Sequence, residues 1–456
     1  MKELDVLIIG AGTAGQTAAF DLVAEGYSVA VVERSAKPGG VCALYGCQAK
    51  KWFYEVTEIV ARSRHLQGLG ITAPPTVSWP AILQAKNSFT SQIPANTVAS
   101  LKGNGVEYLE GEAVFAAPDT IMVNGAAYKP LFTIIAAGAT PMALPIEGHG
   151  LLATSDDFLD LEQLPKRITF IGGGFISFEF AHFAARLGVD PGEVNILEVM
   201  DRPLGPFDAD MVEELVKATR AEGIQVHTGI SIETIARAAS GFVVHLASGQ
   251  TIETDLVVHG AGRVADIESL NLQAAGITFN RRGIEVDGHM TTSNPRVFAV
   301  GDSAATLQLA RVADQEAHVA AASIICRDKE EPSPSIDYRA VPAMLFTYPM
   351  LGMVGKTEAE LIKEGTKYWK NFAKEVSWPT YRRVGLKYAA YKILVDGDSK
   401  ILGAHILADN ATGLINTFKQ AMLDGTTVPE LHKAGIMSPY PSRESDIVYM
   451  LAPLLD

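Results

Sequence analysis

Two of the three cysteines in this 456-residue chain, Cys42 and Cys47, lie five residues apart just before a predicted helix. Thiols at a helix N-terminus lose their protons more easily because the helix dipole is positive there, and thiol–disulfide exchange requires the thiolate. On a regular helix this spacing points the two side chains to different faces, so a bond between them needs a looped first turn, which Gly46 permits. We therefore predict a redox-active pair; the alternative is two buried structural cysteines.

A glycine-rich turn after an apolar N-terminal strand predicts a nucleotide site. The sequence GAGTAG at residues 10–15 is followed by an amphipathic helix and by a second strand that ends in Glu33. Gly10 permits the tight turn, Gly12 lets the backbone approach a pyrophosphate at the helix N-terminus, and Gly15 allows close packing of helix on strand. Glu33 is expected to accept a hydrogen bond from a ribose hydroxyl.

The same pattern recurs 162 positions later, with GGGFIS at residues 172–177 and a following strand that ends in Glu198. Ser177 stands at the third glycine position and is small enough for close packing. Two such units predict two dinucleotides, one bound flavin and one exchanging nicotinamide; the alternative is a duplication in which one site has been lost. The nicotinamide site is predicted to comprise Gly172, Gly174, Phe175, Ile176, Glu198 and Gly262.

Glu198 also bears on the choice of nicotinamide nucleotide. A carboxylate at this strand end accepts the 2′-hydroxyl of NADH and repels the 2′-phosphate of NADPH. Arg202, four residues further on, could offset part of that repulsion. We predict NADH over NADPH; the alternative is that Glu198 is merely an exposed acid at the end of a strand.

The composition restricts the class of protein. Lys and Arg total 38 against 52 Asp and Glu, and the resulting net charge of −14 argues against a nucleic-acid partner. Apolar residues make up 48% and charged residues 20%, enough for several cores. The N-terminus is not typical of a signal peptide, and no long uncharged apolar run predicts a membrane span. With only three cysteines, the chain is expected to be a cytoplasmic α/β protein.

Two more apolar strands end at polar turns, as expected of parallel strands at a ligand site. Residues 133–137 run into a turn that begins at Gly138, and residues 297–300 are followed by Gly301 and Asp302. From about residue 337 the pattern changes to strands followed by a helix near residues 413–423, behind a Glu/Pro/Ser-rich linker.

Together these motifs resemble the class I pyridine nucleotide–disulfide oxidoreductases, the family of glutathione reductase, dihydrolipoamide dehydrogenase and mercuric reductase. Within the resemblance, Cys42, Cys47 and Lys51 match the spacing of the family's redox helix position for position. The resemblance covers nearly the whole chain, at residues 10–15, 40–51, 136–141, 172–179, 301–302 and 341–355.

The resemblance implies an α/β fold with two Rossmann-like dinucleotide-binding domains plus a C-terminal α+β dimerisation domain, and hence a homodimer. The implied domains are a first FAD-binding part at 1–148, an NAD(P)-binding domain at 149–262, a second FAD-binding or central part at 263–335 and a dimerisation domain at 336–456. The FAD site would comprise Gly10, Gly12, Gly15, Glu33, Gly40, Lys51, Ala137, Gly138, Gly301 and Asp302.

The resemblance also implies roles for individual side chains. Cys42 would be the interchange thiol that attacks the substrate, and Cys47 the charge-transfer thiol against the flavin. Lys51 would lie near the flavin N5, paired with Glu179, whereas its spacing alone indicates a solvated helix lysine. Phe175 stands where many relatives carry a tyrosine that covers the flavin. Electrons would pass from the nicotinamide through the flavin and the cysteine pair to a small-molecule or protein disulfide or dithiol.

One departure from the family concerns its acid–base group. Relatives that reduce disulfides carry a His-Pro-Thr motif with a later Glu, supplied by the partner subunit, whereas here Tyr440 stands at the histidine and Ser445 at the glutamate. Glu444 lies one position early, and His432 fits no motif. A phenol with a pKa of about 10 is a poor base at pH 7.

Three interpretations therefore stay open. The first is a disulfide reductase with an unusual proton donor. The second is a reductase of a non-disulfide acceptor, such as Hg(II) or a quinone. The third is a flavin-binding structural or sensor protein without turnover, against which the intact cysteine pair, Lys51 and Glu179 argue. No bound metal is predicted.

Overall fold

The structure of the chain is a computed structural model that describes residues 2–455. The strands are β1 Lys2–Ile9, β2 Val29–Glu33, β3 Glu107–Glu110, β4 Ala113–Ala117, β5 Thr120–Val123, β6 Ala126–Ile135, β7 Ala139–Pro141, β8 Ile168–Ile171, β9 Val194–Leu197, β10 Gln225–His227, β11 Ile232–Arg237, β12 Phe242–Leu246, β13 Thr251–Thr254, β14 Leu256–His259, β15 Arg263–Ala265, β16 Phe279–Asn280, β17 Gly283–Ile284, β18 Val297–Ala299, β19 Ala343–Leu345, β20 Met350–Gly355, β21 Trp369–Ala373, β22 Ala390–Val395 and β23 Ile401–Ala408. The helices are α1 Thr13–Ala24, α2 Gly40–Leu44, α3 Ala49–His65, α4 Trp79–Thr90, α5 Ile93–Gly103, α6 Ser155–Leu159, α7 Phe175–Leu187, α8 Ala209–Ala221, α9 Ala310–Asp328, α10 Glu358–Glu364, α11 Pro379–Arg382, α12 Ala411–Asp424, α13 Val428–Gly435 and α14 Ile447–Leu451.

The chain forms two compact units. The first runs up to Trp52 and includes Ala81–Ala143 and Gly262–Asp337. The second comprises Phe53–Pro80, Leu144–Ala261 and the chain from Tyr338 onward. The four-part division inferred from the sequence remains a prediction.

The first unit is built on a mixed sheet with the strand order β3-β2-β1-β6-β5-β4 and with β18 beside β6. The pairs β3–β2, β2–β1, β1–β6 and β6–β18 are parallel. Parallel strands with helices on both faces need apolar side chains in both directions, which explains the unbroken apolar run of β1. One core cluster joins Val6 and Ile8 of β1 to Ala18 of α1 and Ala317 of α9.

The second unit contains a parallel four-stranded sheet, β10-β9-β8-β14, and an antiparallel three-stranded sheet, β11-β12-β13. It also contains an antiparallel five-stranded sheet in the order β19-β20-β23-β22-β21. Leu414 and Phe418 of α12 are fully buried, as are Ile393 of β22 and Ile406 of β23. This last region has the strand-then-helix order that the sequence predicted from about residue 337.

The α/β fold class is confirmed, and each of the two glycine-rich turns follows a strand, β1 or β8, that pairs in parallel with both of its neighbours. The helix predicted near residues 413–423 is α12, which begins two residues earlier, at Ala411, and ends at Asp424. Between residues 2 and 455, no helix is both long enough and apolar enough to cross a membrane.

Candidate active site

The first nucleotide turn joins β1 to α1 and leaves no room for side chains at two positions. Gly10 has a φ of +108°, and a Cβ there would overlap the carbonyl oxygen of Ala136 at the end of β6. A Cβ at Gly15 would overlap the carbonyl oxygen of Gly10. The turn is therefore closed against the sheet, and α1 lies directly on the turn.

Glu33, at the carboxyl end of β2, fixes the shape of this turn. Its Oε2 accepts a hydrogen bond from the Ala11 N–H at 2.8 Å, and its Oε1 accepts one from the Ser35 N–H at 2.8 Å. Each carboxylate oxygen has a second lone pair, so a ribose hydroxyl can still donate to it. The sequence predicted the ribose role but not the two bonds to the backbone.

The second turn repeats the same arrangement. Glu198 follows β9, its Oε2 accepts from the Gly173 N–H at 2.5 Å and its Oε1 accepts from the Met200 N–H at 2.8 Å. Arg202 donates to carbonyl oxygens of its own loop, among them that of Gly205 at 2.9 Å. The guanidinium thus holds the loop that follows Glu198.

Ser177, at the third glycine position of the second turn, is matched by a glycine that the sequence analysis missed. Ser177 is fully buried. A Cβ at Gly260, which follows β14, would overlap the Ser177 hydroxyl. In the first turn, Gly15 on α1 leaves room for close packing of the helix on the turn. In the second turn, Ser177 occupies that position on α7, and Gly260 after β14 leaves the room instead. Gly260 belongs to no sequence motif, so only the fold reveals its role.

The helices behind both turns begin without side-chain caps. Their N-cap residues are Gly12 for α1 and Gly174 for α7, and neither first turn contains an acidic residue. The first amides of each helix therefore present N–H groups and the positive end of the dipole to the open side of the turn, which suits a pyrophosphate. These residues fit two dinucleotides. FAD, when bound, supplies two-electron chemistry.

Four of the remaining residues predicted for FAD, namely Ala137, Gly138, Gly301 and Asp302, lie at strand ends of the first unit. Ala137 and Gly138 connect β6 to β7. The Gly301 N–H donates to Oε2 of Glu316, a fully buried acid on α9, at 2.6 Å. Burial raises the pKa of Asp302, and the charge of Arg263 lowers it in part. Glu316 was missed because its partner lies fifteen residues away in another element.

Gly262, which the sequence assigned to the nicotinamide site, belongs to the first unit. Its carbonyl oxygen accepts the Met142 N–H at 3.1 Å. The other residues predicted for that site, at the turn around Gly174 and at Glu198, belong to the second unit.

The cysteine pair lies at a break between two helices. Cys42 is inside the short helix α2, and Cys47 is in the link before α3. Gly46 makes the break possible: its N–H donates to the Val41 carbonyl oxygen at 2.6 Å, and a Cβ would lie 2.9 Å from that oxygen. The side chains of Cys42 and Cys47 are hydrogen-bonded to each other. The looped turn expected from the sequence thus brings the two sulfur atoms together.

The surroundings of Cys42 raise the pKa of its thiol. The largest cause is the hydrogen bond with the Cys47 side chain, followed by burial and by the charges of Cys47 and Asp314; the Cys47 N–H acts in the opposite direction. The helix whose dipole was expected to ease ionisation is α3, which begins at Ala49, two residues after Cys47 and seven after Cys42. For Cys42, the net effect of these neighbouring groups is opposite to that expectation.

Lys51 lies on the first turn of α3 in the first unit, and Glu179 lies on α7 in the second. Glu179 is buried, and its Oε1 accepts the N–H of Phe346, which follows β19, at 2.9 Å. Phe175 and Ile176 are the first two residues of α7, and half of the Phe175 surface is exposed. The pairing of Lys51 with Glu179 stays a prediction.

Tyr440 lies between α13 and α14 and is 77% exposed. Ser445 closes a local turn: its hydroxyl donates to the Ser442 carbonyl oxygen at 2.7 Å. Glu444 accepts from the Asn410 amide at 3.3 Å. In the described part of the chain, no group of three or more His, Cys, Asp or Glu residues is arranged to hold a metal ion.

Comparisons with known proteins agree with this geometry. The family model described as pyridine nucleotide-disulphide oxidoreductase matches residues 4–317, and the model of its dimerisation domain matches residues 341–448. A glutathione reductase from Burkholderia cepacia is 30% identical over 422 residues, which cover 91% of each chain. A mercuric reductase from Bacillus cereus is 29% identical over 447 residues, which cover 96% of this chain and 69% of the relative.

Among solved structures, an HOCl-induced flavoprotein disulfide reductase from Escherichia coli has the same fold. The TM-score is 0.86 at 24% identity, and the match covers 99% of this chain and 100% of the other.

Proposed function

Because this chain belongs to the pyridine nucleotide-disulphide oxidoreductase family and is therefore an NAD(P)H-dependent flavoprotein disulfide oxidoreductase, we propose that Cys42 and Cys47 are its redox pair and that NADH is its preferred donor. The observation that carries the proposal is the hydrogen-bonded thiol pair at the helix break. The pair lies next to the first nucleotide turn, since a Cβ on Gly40 would lie 2.6 Å from the Gly12 Cα.

In this proposal, a hydride equivalent, which is two electrons and one proton, breaks the Cys42–Cys47 bond and leaves one thiol and one thiolate. The Cys42 sulfur then attacks the acceptor disulfide and forms a mixed disulfide, and the proton of Cys42 passes to the first acceptor sulfur, which leaves as a thiol. The Cys47 thiolate next attacks Cys42 and re-forms the intramolecular bond, and the second acceptor sulfur leaves as a thiolate that takes a proton from water. The assignment of Cys47 to the flavin side follows the family resemblance. The raised pKa of Cys42 supports it, because the single proton then stays on Cys42 and the charge on Cys47.

Single cysteine variants test this assignment. On anaerobic reduction by NADH, the wild-type holoenzyme should develop a long-wavelength absorbance from a thiolate against the flavin. Cys42→Ser has no disulfide to reduce, so its Cys47 thiolate should give this absorbance against the oxidised flavin before NADH is added. Cys47→Ser should lack the absorbance, and both variants should fail in disulfide turnover. Cys326→Ser is the matched control and should behave as wild type. The opposite result for the first two variants would exchange the two roles.

The preference for NADH is supported by the position of Glu198 at the second turn. Its carboxylate is held by two backbone amides, and the next two side chains, Val199 and Met200, are exposed and uncharged. A 2′-phosphate there would meet a fixed negative charge. Glu198→Gln should therefore lower the ratio of kcat/KM for NADH to that for NADPH by at least about tenfold, or 1.4 kcal/mol.

Glu193→Gln, at the amino end of the same strand β9, is the control for this variant and should leave the ratio unchanged. An unchanged ratio in Glu198→Gln would mean that this carboxylate does not meet the ribose.

For the acceptor we propose a disulfide. A second candidate, a metal ion such as Hg(II), is favoured by the similarity to a mercuric reductase. Steady-state oxidation of NADH with small disulfides, Hg(II) and quinones distinguishes the two. Turnover with Hg(II) or a quinone in the absence of disulfide activity would replace the first candidate by the second.

We further propose that the enzyme works in the cytoplasm as a homodimer joined through the region from about residue 336, which the dimerisation-domain model matches. Light scattering of the purified holoenzyme should give twice the mass of one chain. A monomer with full disulfide activity would contradict this part of the proposal.

A further inference from the structure

The chain directly after Tyr440 is held by an arginine that no step above uses. Arg443 is only 7% exposed, as is Asp409, and the Arg443 Nε donates to Asp409 Oδ1 at 2.7 Å. The guanidinium carbon also lies 3.9 Å from the centre of the Tyr381 ring. Asp409 directly follows β23, and Tyr381 lies in α11 and packs against Trp378. Arg443 therefore fastens the chain after Tyr440 to two buried side chains of the second unit.

Glu444, the next residue, is a second anchor. Its Oε1 accepts a hydrogen bond from the Asn410 amide at 3.3 Å, and a Cβ on Gly413 would overlap this oxygen. Gly413 is the third residue of α12, where an alanine would favour the helix, so the glycine leaves the space that the carboxylate occupies. The first turn of α12 has no acid of its own, and the positive end of the helix dipole attracts this one.

A local turn connects these anchors to Tyr440. The N–H groups of Ser442 and Ser445 each donate to the hydroxyl of the other residue at 3.1 Å. Pro441, whose ring restricts φ, is the only residue between Tyr440 and this turn. Because the Tyr440 side chain is 77% exposed and so has little packing of its own, its direction depends on the backbone that follows it.

We propose that Arg443 is a positioning residue for the acceptor step: together with Glu444, it directs the Tyr440 hydroxyl at the reacting sulfur atoms. As Cys42 forms its bond to one acceptor sulfur, the acceptor S–S bond breaks, and the proton of Cys42 must reach the sulfur that leaves. A phenol hydroxyl can accept one hydrogen bond while it donates another, so Tyr440 can take this proton and give its own to the leaving sulfur. The inference rests on the proposed disulfide reduction and, as the family resemblance implies, on residue 440 reaching the cysteine pair of the partner subunit.

The chemistry of the leaving sulfur separates positioning from general damage. The NADH-reduced holoenzyme is mixed with glutathione disulfide or with 5,5′-dithiobis(2-nitrobenzoate), and its reoxidation is followed by stopped flow. An alkyl thiolate is a strong base that leaves faster when it is protonated, whereas the nitro-substituted aryl thiolate is a weak base and leaves without a proton. Tyr440→Phe and Arg443→Met should therefore both react slowly with glutathione disulfide, Arg443→Met by about tenfold. With the aryl disulfide, both variants should stay within about twofold of wild type.

Arg443→Met leaves the carboxylate of Asp409 buried without its counter-charge, so Asp409→Asn is combined with it to limit the cost in folding. Arg443→Lys, which keeps the charge, should recover part of the rate with glutathione disulfide. In a Tyr440→Phe background, Arg443→Met should slow the reaction by less than about twofold more, because the hydroxyl to be positioned is absent. Arg382→Met, at an exposed arginine beside Tyr381 in α11, is the control and should behave as wild type.

Gly413→Ala tests the second anchor without changing Arg443. The added methyl group would overlap Glu444 Oε1, while alanine favours the helix, so the variant should fold. We expect its rate with glutathione disulfide to fall by about threefold to tenfold and its rate with the aryl disulfide to stay unchanged. Gly103→Ala, at the last residue of α5 and with open space around it, is the matched control and should behave as wild type with both disulfides.

The outcomes separate the inference from the proposed function. If neither disulfide reoxidises the NADH-reduced wild type, the proposed disulfide reduction fails, and the inference fails with it. If only the aryl disulfide reacts, no proton is relayed and the inference alone is overturned. The inference is also overturned, while the redox role stands, if Arg443→Met slows neither disulfide, slows both alike, or multiplies in full with Tyr440→Phe. If no Arg443 variant folds, Gly413→Ala decides: a loss confined to glutathione disulfide supports the inference, and any other result overturns it.

Discussion

Replacing Lys392 by Met should destabilise the second unit by about 3–5 kcal/mol, because a buried cation with several carboxylate partners would be lost. The Lys392 Nζ lies 2.7 Å from Asp208 Oδ1, 2.5 Å from Asp210 Oδ2 and 2.9 Å from Glu358 Oε2, and its side chain is 2% exposed. Asp208 is equally buried and also caps α8. The cluster therefore joins the start of α8 to β22 and α10.

The magnitude follows from the distances and the burial. At an effective dielectric constant of about 20, an ion pair at these distances is worth about 6 kcal/mol before desolvation, which offsets part of it. Burial alone lowers the pKa of Lys392, but its hydrogen bonds to Asp208, Asp210 and Glu358 raise the pKa by more than burial lowers it. The net shift is therefore upward, and the amine stays charged. Without Lys392, the buried charge of Asp208 has lost its counter-charge.

Urea unfolding of the holoenzyme at a fixed excess of FAD measures the effect and keeps cofactor linkage constant. Lys370→Met is the matched control: Lys370 lies 2.7 Å from the other oxygen of Glu358 but is 44% exposed, so its loss should cost less than about 1 kcal/mol. Adding Glu358→Gln to Lys392→Met should recover part of the loss. Equal destabilisation by the two lysine variants would refute the reasoning from burial.

Three further predictions concern acid stability, FAD binding and the acceptor step. Burial tends to raise the pKa of Glu358, but its lysine and tyrosine partners hold it at about 2. The ionised Glu358 therefore makes its full contribution to the free energy of unfolding above its unfolded pKa of about 4.3, and this contribution is lost as the pH falls through about 2. Glu358→Gln should accordingly reduce the fall of the urea midpoint between these two pH values. Gly40→Ala should lower the FAD content, because its Cβ would lie 2.6 Å from the Gly12 Cα. Gly26→Ala, also at positive φ but with open space around it, is the control and should keep its FAD. Equal FAD content in the two variants would contradict the argument from the close approach of Gly40 and Gly12. Tyr440→Phe should slow the acceptor step by up to about 10²-fold and leave flavin reduction by NADH unchanged in stopped-flow measurements, and a slowed flavin reduction would remove Tyr440 from the acceptor side.

The sequence predicted those parts of the site that are formed by residues close together in the chain. The turn at Gly10, the break at Gly46 and the strand-end acids Glu33 and Glu198 each depend on a few adjacent residues and on the strand–turn–helix order. The resemblance added the roles of the two cysteines. These features were predictable because backbone geometry within one βαβ unit restricts the residue types that fit.

Features that join distant segments were not predictable from one sequence. Thr13 and Asp314 are separated by 301 positions, and only the fold shows that α1 and α9 are adjacent. The direction of the Cys42 pKa shift was predicted wrongly, because the dipole argument considered one helix and the structure adds the Cys47 thiol, burial and a carboxylate from another element. Whether an ionisable group is charged depends on its three-dimensional neighbours, which spacing does not reveal.

The raised pKa of Cys42 also bears on how the enzyme meets its acceptor. Exchange begins with a thiolate, yet the surroundings of Cys42 raise the pKa of its thiol, and the position of the family histidine is occupied by Tyr440, whose side chain is exposed. Reduction of glutathione disulfide should therefore be slow near pH 7 and should rise about tenfold per pH unit towards the Cys42 pKa.

Oxidation of dihydrolipoamide, which also needs a base to deprotonate the incoming thiol, should be slow as well. Initial rates across the pH range, with flavin reduction by NADH measured separately to exclude it as the limiting step, check both expectations. A fast reaction governed by an apparent pKa of about 6–7 would reveal a base near the disulfide, with His432 and Glu444 as the first residues to replace, and would show that Tyr440 does not set the chemistry of this site.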